Sequence, residues 1–184
     1  MPNYRRNFVP GGIYFFTAVT HLRQPFLTSD LARKCLREAI EEVREDHPFE
    51  MIAQVLLPDH WHTIWQLPEG DVAYPMRWSR IKELFTRKWL EAGGEEFQQS
   101  ESRIKYRRRG VWQKRYWEHT VDGPQDLKRC VDYVHWNPRK HAFVQRVADW
   151  SLSSFHRYVD AGEYTIDWGG TDPVPNWHAP EWGE

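Results

Sequence analysis

At 184 residues and a formal net charge of −1, the chain is long enough to bury the core of one domain, and its two cysteines are too few for a disulfide framework. No run approaches the ~20 apolar residues of a membrane span, and Tyr4-Arg5-Arg6-Asn7-Phe8 is not followed by the apolar stretch of a secretory signal, so a cytoplasmic protein away from membranes is expected. The near-neutral total hides an asymmetry: 12 Lys/Arg stand against 5 Asp/Glu between Glu101 and Arg146, whereas Arg157 alone stands against 7 acids from Val147 to Glu184. A basic stretch followed by an acidic one suggests a polyanionic partner, with the tail as a competitor that folds over the same site, although two solvated surfaces would give the same counts. Residues 1–146 are read as the domain and 147–184 as an acidic, aromatic-rich extension, in the same domain or as a tail.

In chain order, Ile13 to Thr20 is aromatic and β-branched and reads as a strand. Ser29 caps a helix to about Glu45, with Leu31, Cys35, Leu36, Ala39, Ile40 and Val43 as its apolar stripe and His47-Pro48 as its stop. Phe49 to Leu57 and His60 to Leu67 read as strands joined at Pro58-Asp59 into a hairpin. Arg77 to about Glu91 reads as a helix with Trp78, Ile81, Leu84, Phe85 and Trp89 on one face and Arg77 among the polar residues. Glu95 to Gly110 lacks a period and reads as a loop, Val111 to Val121 as a strand or extended segment, and Asp126 to about Trp136 as a helix ended by Asn137-Pro138. Both cysteines, Cys35 and Cys130, fall at apolar helical positions and read as small buried hydrophobes. From Gly162 onward an irregular tail is expected. Strand, helix, hairpin, helix, strand, helix predicts an α+β fold: a ferredoxin-like two-layer sandwich, an antiparallel sheet with helices on one face.

Two places can carry chemistry. In a strand, residues i and i+2 share a face, so His60 and His62 leave one face together while Trp61 points to packing. Two imidazoles fixed this way are half of a metal site; the alternative is a pair of half-exposed surface histidines. In the last helix, Tyr133 and Asn137 lie four residues apart at the edge of the stripe Leu127, Cys130, Val131 and Val134. Tyr133 is either a boundary aromatic or a nucleophile, and Asn137 either a helix stop or a third, amide-oxygen ligand. A phenol attacks poorly at neutral pH. A divalent cation, Mn²⁺ or Mg²⁺ by its mixed N/O donors, would make a phosphate electrophilic and hold it in line. Tyr116 is the competing nucleophile, but Thr120 rather than a metal-capable residue stands four positions on.

Tyr4-Arg5-Arg6, Gly11-Gly12 before a Phe-Phe-Thr strand, Leu57-Pro58-Asp59-His60-Trp61-His62, Leu67-Pro68-Glu69-Gly70-Asp71, Val111-Trp112-Gln113, Trp117-Glu118-His119, Asp132-Tyr133, Asn137-Pro138, Asp149-Trp150-Ser151 and Asp167-Trp168 occur in this order. Together they resemble the HUH single-tyrosine transposases, most closely the REP-associated tyrosine transposases. The resemblance implies a ferredoxin-like HUH fold and divalent-metal-dependent nicking and joining of single-stranded DNA through a 5′-phosphotyrosine. It also implies recognition of palindromic hairpins beside a short 5′ flank, by a monomer. By motif position His60 and His62 would be metal ligands, Tyr133 the nucleophile and Asn137 the third ligand; many insertion-sequence relatives carry Gln at that last position.

Arg5, Arg6, Lys105, Arg107, Arg108, Arg109, Lys114 and Arg115 are the candidates for phosphate contact, interleaved with Tyr106 and Trp112 for stacking; Arg139 and Lys140 are further ones. Two other functions remain compatible with the residues. One is a domesticated, non-catalytic hairpin-DNA-binding protein. The other is a histidine-metal hydrolase using activated water, which would leave no covalent adduct.

Overall fold

Four strands, β1 (Ile13–Val19), β2 (Glu50–Leu56), β3 (His60–Gln66) and β4 (Trp117–Thr120), pair antiparallel in the order β2-β3-β1-β4 in the computed structural model, which describes residues 6–106 and 108–170. Helix α1 (Asp30–Asp46) links β1 to β2, and α2 (Tyr74–Glu91) follows the β2–β3 hairpin. This is the expected α+β arrangement.

Strand alternation divides the core in two. Tyr14, Phe16, Ala18, Trp61 and Trp65 face one way and pack with Ala32, Cys35, Leu36 and Ala39 of α1 and Trp78, Ile81 and Phe85 of α2. Phe15, Val55 and Ile64 face the other way and pack with Cys130, Val131, Tyr133 and Val134. Those four belong to a later helix, so α1 and α2 cover one face as expected and the later helix covers the opposite one. The reason lies in β1 and β3, which are apolar or uncharged on both faces and are buried on both.

Local chemistry sets the helix ends. The Ser29 hydroxyl accepts the Ala32 N–H at 3.3 Å and starts α1. Helix α2 begins three residues ahead of the expected Arg77, because Pro75 fits the first turn of a helix. Arg77 is buried rather than solvated: its guanidinium meets Asp71 at 2.5 Å and donates to the carbonyls of His47 (3.1 Å) and Pro48 (2.9 Å). It thereby ties α2 to the α1–β2 turn. Residues 95–110, expected as a loop, contain a short helix, α3 (Glu101–Lys105), capped by Ser100.

The segment 111–121 is a strand only at its end. Thr17 pairs with Trp117 and Thr20 bridges to Trp112, so this side uses two more residues than β1 between the pairs and bows outward. The Lys82 ammonium occupies the bow, donating to the carbonyls of Gln113 (3.0 Å) and Arg115 (3.5 Å).

Helix α4 spans Gly123–Lys140 and does not stop at Pro138. Proline removes one intrahelical donor, but the turn beyond it closes all the same, with the His141 N–H on the Asn137 carbonyl at 3.1 Å. After it come a 3-10 turn (Val147–Asp149) and α5 (Phe155–Asp160). This stretch covers the β2 edge: Leu56 N–H donates to Leu152 O at 2.8 Å, and Ser154 N–H to Gln54 O at 2.9 Å. It also packs Phe155 and Trp168 against Trp136 of α4. Burial, together with the Arg157 charge, pushes the His135 imidazole at this seam down to about 3, so it stays neutral against Ser154 (2.9 Å). Among the described residues no helix is long and apolar enough to cross a membrane.

Candidate functional site

The face of the sheet under α4 carries His60 and His62, as strand alternation predicts. Both are buried, with ring centroids 4.8 Å apart and planes at 83°. His62 shares a 2.9 Å hydrogen bond between Nδ1 and the hydroxyl of Thr17, its cross-strand partner on β1. Any further partner of this ring meets it through Nε2. His60 Nδ1 donates to Asp59 Oδ1 at 2.6 Å, which leaves Nε2 as the nitrogen open to another partner. That Nε2 is buried and has no hydrogen-bond partner among the described residues. Burial raises the Asp59 carboxyl, but hydrogen bonds and charge from His60 and Arg23 outweigh it and hold the group at about 2. A carboxylate behind an imidazole whose far nitrogen faces no donor is the arrangement that orients metal-binding histidines, so these residues fit a divalent cation.

Helix α4 lays Tyr133 across this face. Its ring sits edge-on to His62 at 5.5 Å and to Phe15 at 5.9 Å, and Lys140 Nζ donates to its hydroxyl at 2.9 Å. Asn137 is fully buried one turn on. One turn further stands His141, whose ring lies 5.2 Å from that of His60. The contacts of Lys140 and His141 with this site were missed in the sequence because the helix was expected to end at Pro138. The signal that finds them is continued i+7 and i+8 spacing from Tyr133. Tyr116 lies on the opposite face, stacked on Trp78 at 5.1 Å and edge-on to Phe16 at 5.7 Å.

The expected phosphate contacts divide into several groups. Arg5 and Arg107 lie outside the described residues, as does the acidic tail from 171 onward. Arg6 lies over the Tyr116 ring at 4.7 Å and 3.8 Å from the buried Glu118. Arg109 is held by both Glu96 oxygens, an ion pair that keeps the Glu96 carboxyl below its usual range. Arg108 stacks on the exposed Tyr106 at 5.0 Å, and Lys105, Lys114 and Arg115 are exposed. A cavity of about 590 Å³ beside α2 is lined by Lys82, Arg103, Arg108, Arg109, Trp112 and Lys114. Trp112, expected to stack on a base, is instead buried edge-on to Phe85 at 5.0 Å. Tyr106 remains the open aromatic of this segment.

A second group of metal-capable side chains, His119, Asp126 and Cys130, lies further along the same face, with ligand atoms within 4.8 Å of one another. The Asp126 carboxylate there already accepts from His119 (2.7 Å), the Asp122 N–H (2.9 Å) and Arg129 (3.0 Å). Burial pushes the Cys130 thiol well up, which disfavours the thiolate a metal needs. The group ties β4 to the first turns of α4.

Comparison with known proteins identifies the family and the fold. The family model described as "Transposase IS200 like" matches residues 9–137. A Haemophilus influenzae protein bearing the name REP-associated tyrosine transposase is 44% identical over 170 residues, covering 92% of this chain and 94% of its own. The REP-associated tyrosine transposase of Escherichia coli K12 is 42% identical over 171 residues, covering 92% of each. A solved REP-associated tyrosine transposase bound to a REP hairpin superposes with a TM-score of 0.78 at 40% identity, over 96% of each chain.

Proposed function

The chain belongs to the IS200-like transposase family, among the REP-associated tyrosine transposases, and from that premise we propose that it nicks and rejoins single-stranded DNA beside a REP-like hairpin. The observation that carries this reading is the Tyr133 ring packed against His62, on the face where His60 Nε2 is buried and unpartnered among the described residues. Tyr133 and both histidines come from one chain, which supports a monomer. A DNA substrate supports work in the cytoplasm.

His60, His62 and Asn137 would hold the divalent cation, Mg²⁺ or Mn²⁺. When bound, it supplies charge withdrawal from a phosphate oxygen. Asp59 keeps the His60 ring turned, and Thr17 does the same for His62. Tyr133 attacks the phosphorus: its phenol proton passes to solvent, the Oη–P bond forms, the bond from phosphorus to the 3′ oxygen breaks, and that oxygen leaves as a 3′ hydroxyl with a proton from solvent. The product is a 5′-phosphotyrosine, which conserves the phosphodiester for rejoining. The test is incubation with Mn²⁺ and a single-stranded oligonucleotide carrying a hairpin and a 5′ flank, read on a denaturing gel. A protein–DNA adduct that disappears with chelator is expected. Cleavage without an adduct would instead indicate activated water, and hairpin binding without cleavage a non-catalytic binder.

The hairpin is proposed to lie on the basic segment, with affinity carried by the cations that have no acidic partner among the described residues. Each phosphate neutralised by a cation contributes roughly 0.7–0.9 to the slope of log affinity against log salt, so Arg108→Ala with Lys114→Ala should lower that slope by about 1.4–1.8. Arg109→Ala should change it less, since Glu96 already neutralises that charge. Equal slopes for the double variant and the wild type would move the hairpin elsewhere.

A further inference from the structure

We infer that His141 is an additional ligand of the cation proposed for the His60–His62 face, so that three imidazoles hold it. This rests on the metal reading above and extends it. Tyr133, Asn137 and His141 stand four residues apart along α4, so one helix face presents a phenol, an amide and an imidazole in successive turns. The last is at the helix cap, its Nε2 buried and its ring 5.2 Å from His60 at 68°. His60 is therefore flanked by His62 at 4.8 Å and His141 at 5.2 Å.

Those spacings match shared ligation. With metal–nitrogen bonds near 2.1 Å, two imidazoles on one ion have centroids about 4.5 Å apart at a right angle and about 5.2 Å apart at the tetrahedral angle. Ring packing alone also gives such distances. What favours ligation is the Asp59–His60 bond, which takes up Nδ1 and leaves the buried Nε2, unpartnered among the described residues, for a cation. A third imidazole also changes the chemistry of the site. Mg²⁺ prefers oxygen donors, whereas Mn²⁺, Co²⁺ and Zn²⁺ accept nitrogen increasingly well, so the site should favour a first-row transition dication over Mg²⁺.

The test uses the full chain and Mn²⁺ alone, without DNA. Calorimetric titration of wild type, His141→Ala, His141→Asn, His60→Ala and the remote control His156→Ala gives affinities. Electron spin-echo spectroscopy of Mn²⁺-loaded wild type counts the coordinated imidazole nitrogens. Expected are three nitrogens, Mn²⁺ affinity weakened about tenfold or more by His141→Ala, and an unaltered control. Two nitrogens, or wild-type affinity in His141→Ala, would overturn the role of His141 while leaving the two-histidine reading intact. Failure of the wild type to bind Mn²⁺ would overturn both. Near-UV circular dichroism reports whether each variant is folded, and if His141→Ala is not, the nitrogen count on the wild type decides.

Discussion

Tyr133→Phe should abolish the covalent protein–DNA adduct, a loss on the order of 10⁴-fold or more, while hairpin binding stays within about twofold of wild type. The expectation separates chemistry from fold because phenylalanine keeps the edge-on packing against Phe15 and His62. The hydroxyl is removed and with it the bond from Lys140, a change of about 1 kcal/mol in stability. Lys140 is exposed and can turn to water once its acceptor is gone. The paired control is Tyr116→Phe, which removes a hydroxyl on the far side of the sheet, where Arg6 donates to it. That variant should form the adduct at the wild-type rate. Adduct formation by Tyr133→Phe, measured by gel and by mass of the DNA-linked peptide, would show that the nucleophile lies elsewhere.

What was legible in the sequence follows from period. Two-residue alternation in β3 placed His60 and His62 on one face and Trp61 on the other, and the fold keeps that division because Trp61 and Trp65 fill the layer under α2. Helical period placed Tyr133 and Asn137 on one edge of α4. Period stopped being a guide where a local rule met tertiary packing. Pro138 forbids one hydrogen bond, yet α4 runs to Lys140, with Trp136, Asn137 and Pro138 buried and Trp136 packed against Val147, Phe155 and Trp168 of the 147–170 stretch. Ending the helix there hid the contacts of Lys140 and His141 with the site. Arg77 and Arg109 show a second limit. The sequence placed Arg77 on a polar face and Arg109 among the phosphate contacts, but Asp71 and Glu96, close in sequence, turn one inward and neutralise the other. A proximity of that kind depends on loop geometry, which hydrophobic period does not encode. The segment 111–121, read as a strand or extended, is a strand only at Trp117–Thr120, because the residues before it bow away from β1 around Lys82 and meet it again at the Thr20–Trp112 bridge.

Trp61→Ala should destabilise the fold by about 3–5 kcal/mol, lowering the melting temperature by roughly 10 °C or more. Trp61 is fully buried, edge-on to Trp78 at 5.3 Å and 6.2 Å from Trp65, with its indole N–H on Gln54 Oε1 at 3.2 Å. Truncation leaves a cavity among large rings that cannot collapse into it, and Gln54 loses its donor. The effect should reach the opposite face, because β3 register is held by side-chain volume. A slip of one residue would drive His60 and His62 toward Phe16 and Trp78 and turn Trp61 and Trp65 toward Tyr133. With Trp61 reduced to a methyl group, the penalty against that slip falls, and the two imidazoles are held less firmly. Mn²⁺ affinity should therefore drop in Trp61→Ala and largely recover in Trp61→Phe, which refills most of the volume. Urea unfolding followed by circular dichroism gives the stability, and titration at low temperature, where the variant is folded, gives the affinity. If Trp61→Ala unfolds within about 1 kcal/mol of wild type, the ring is not what anchors the strand that carries the two histidines.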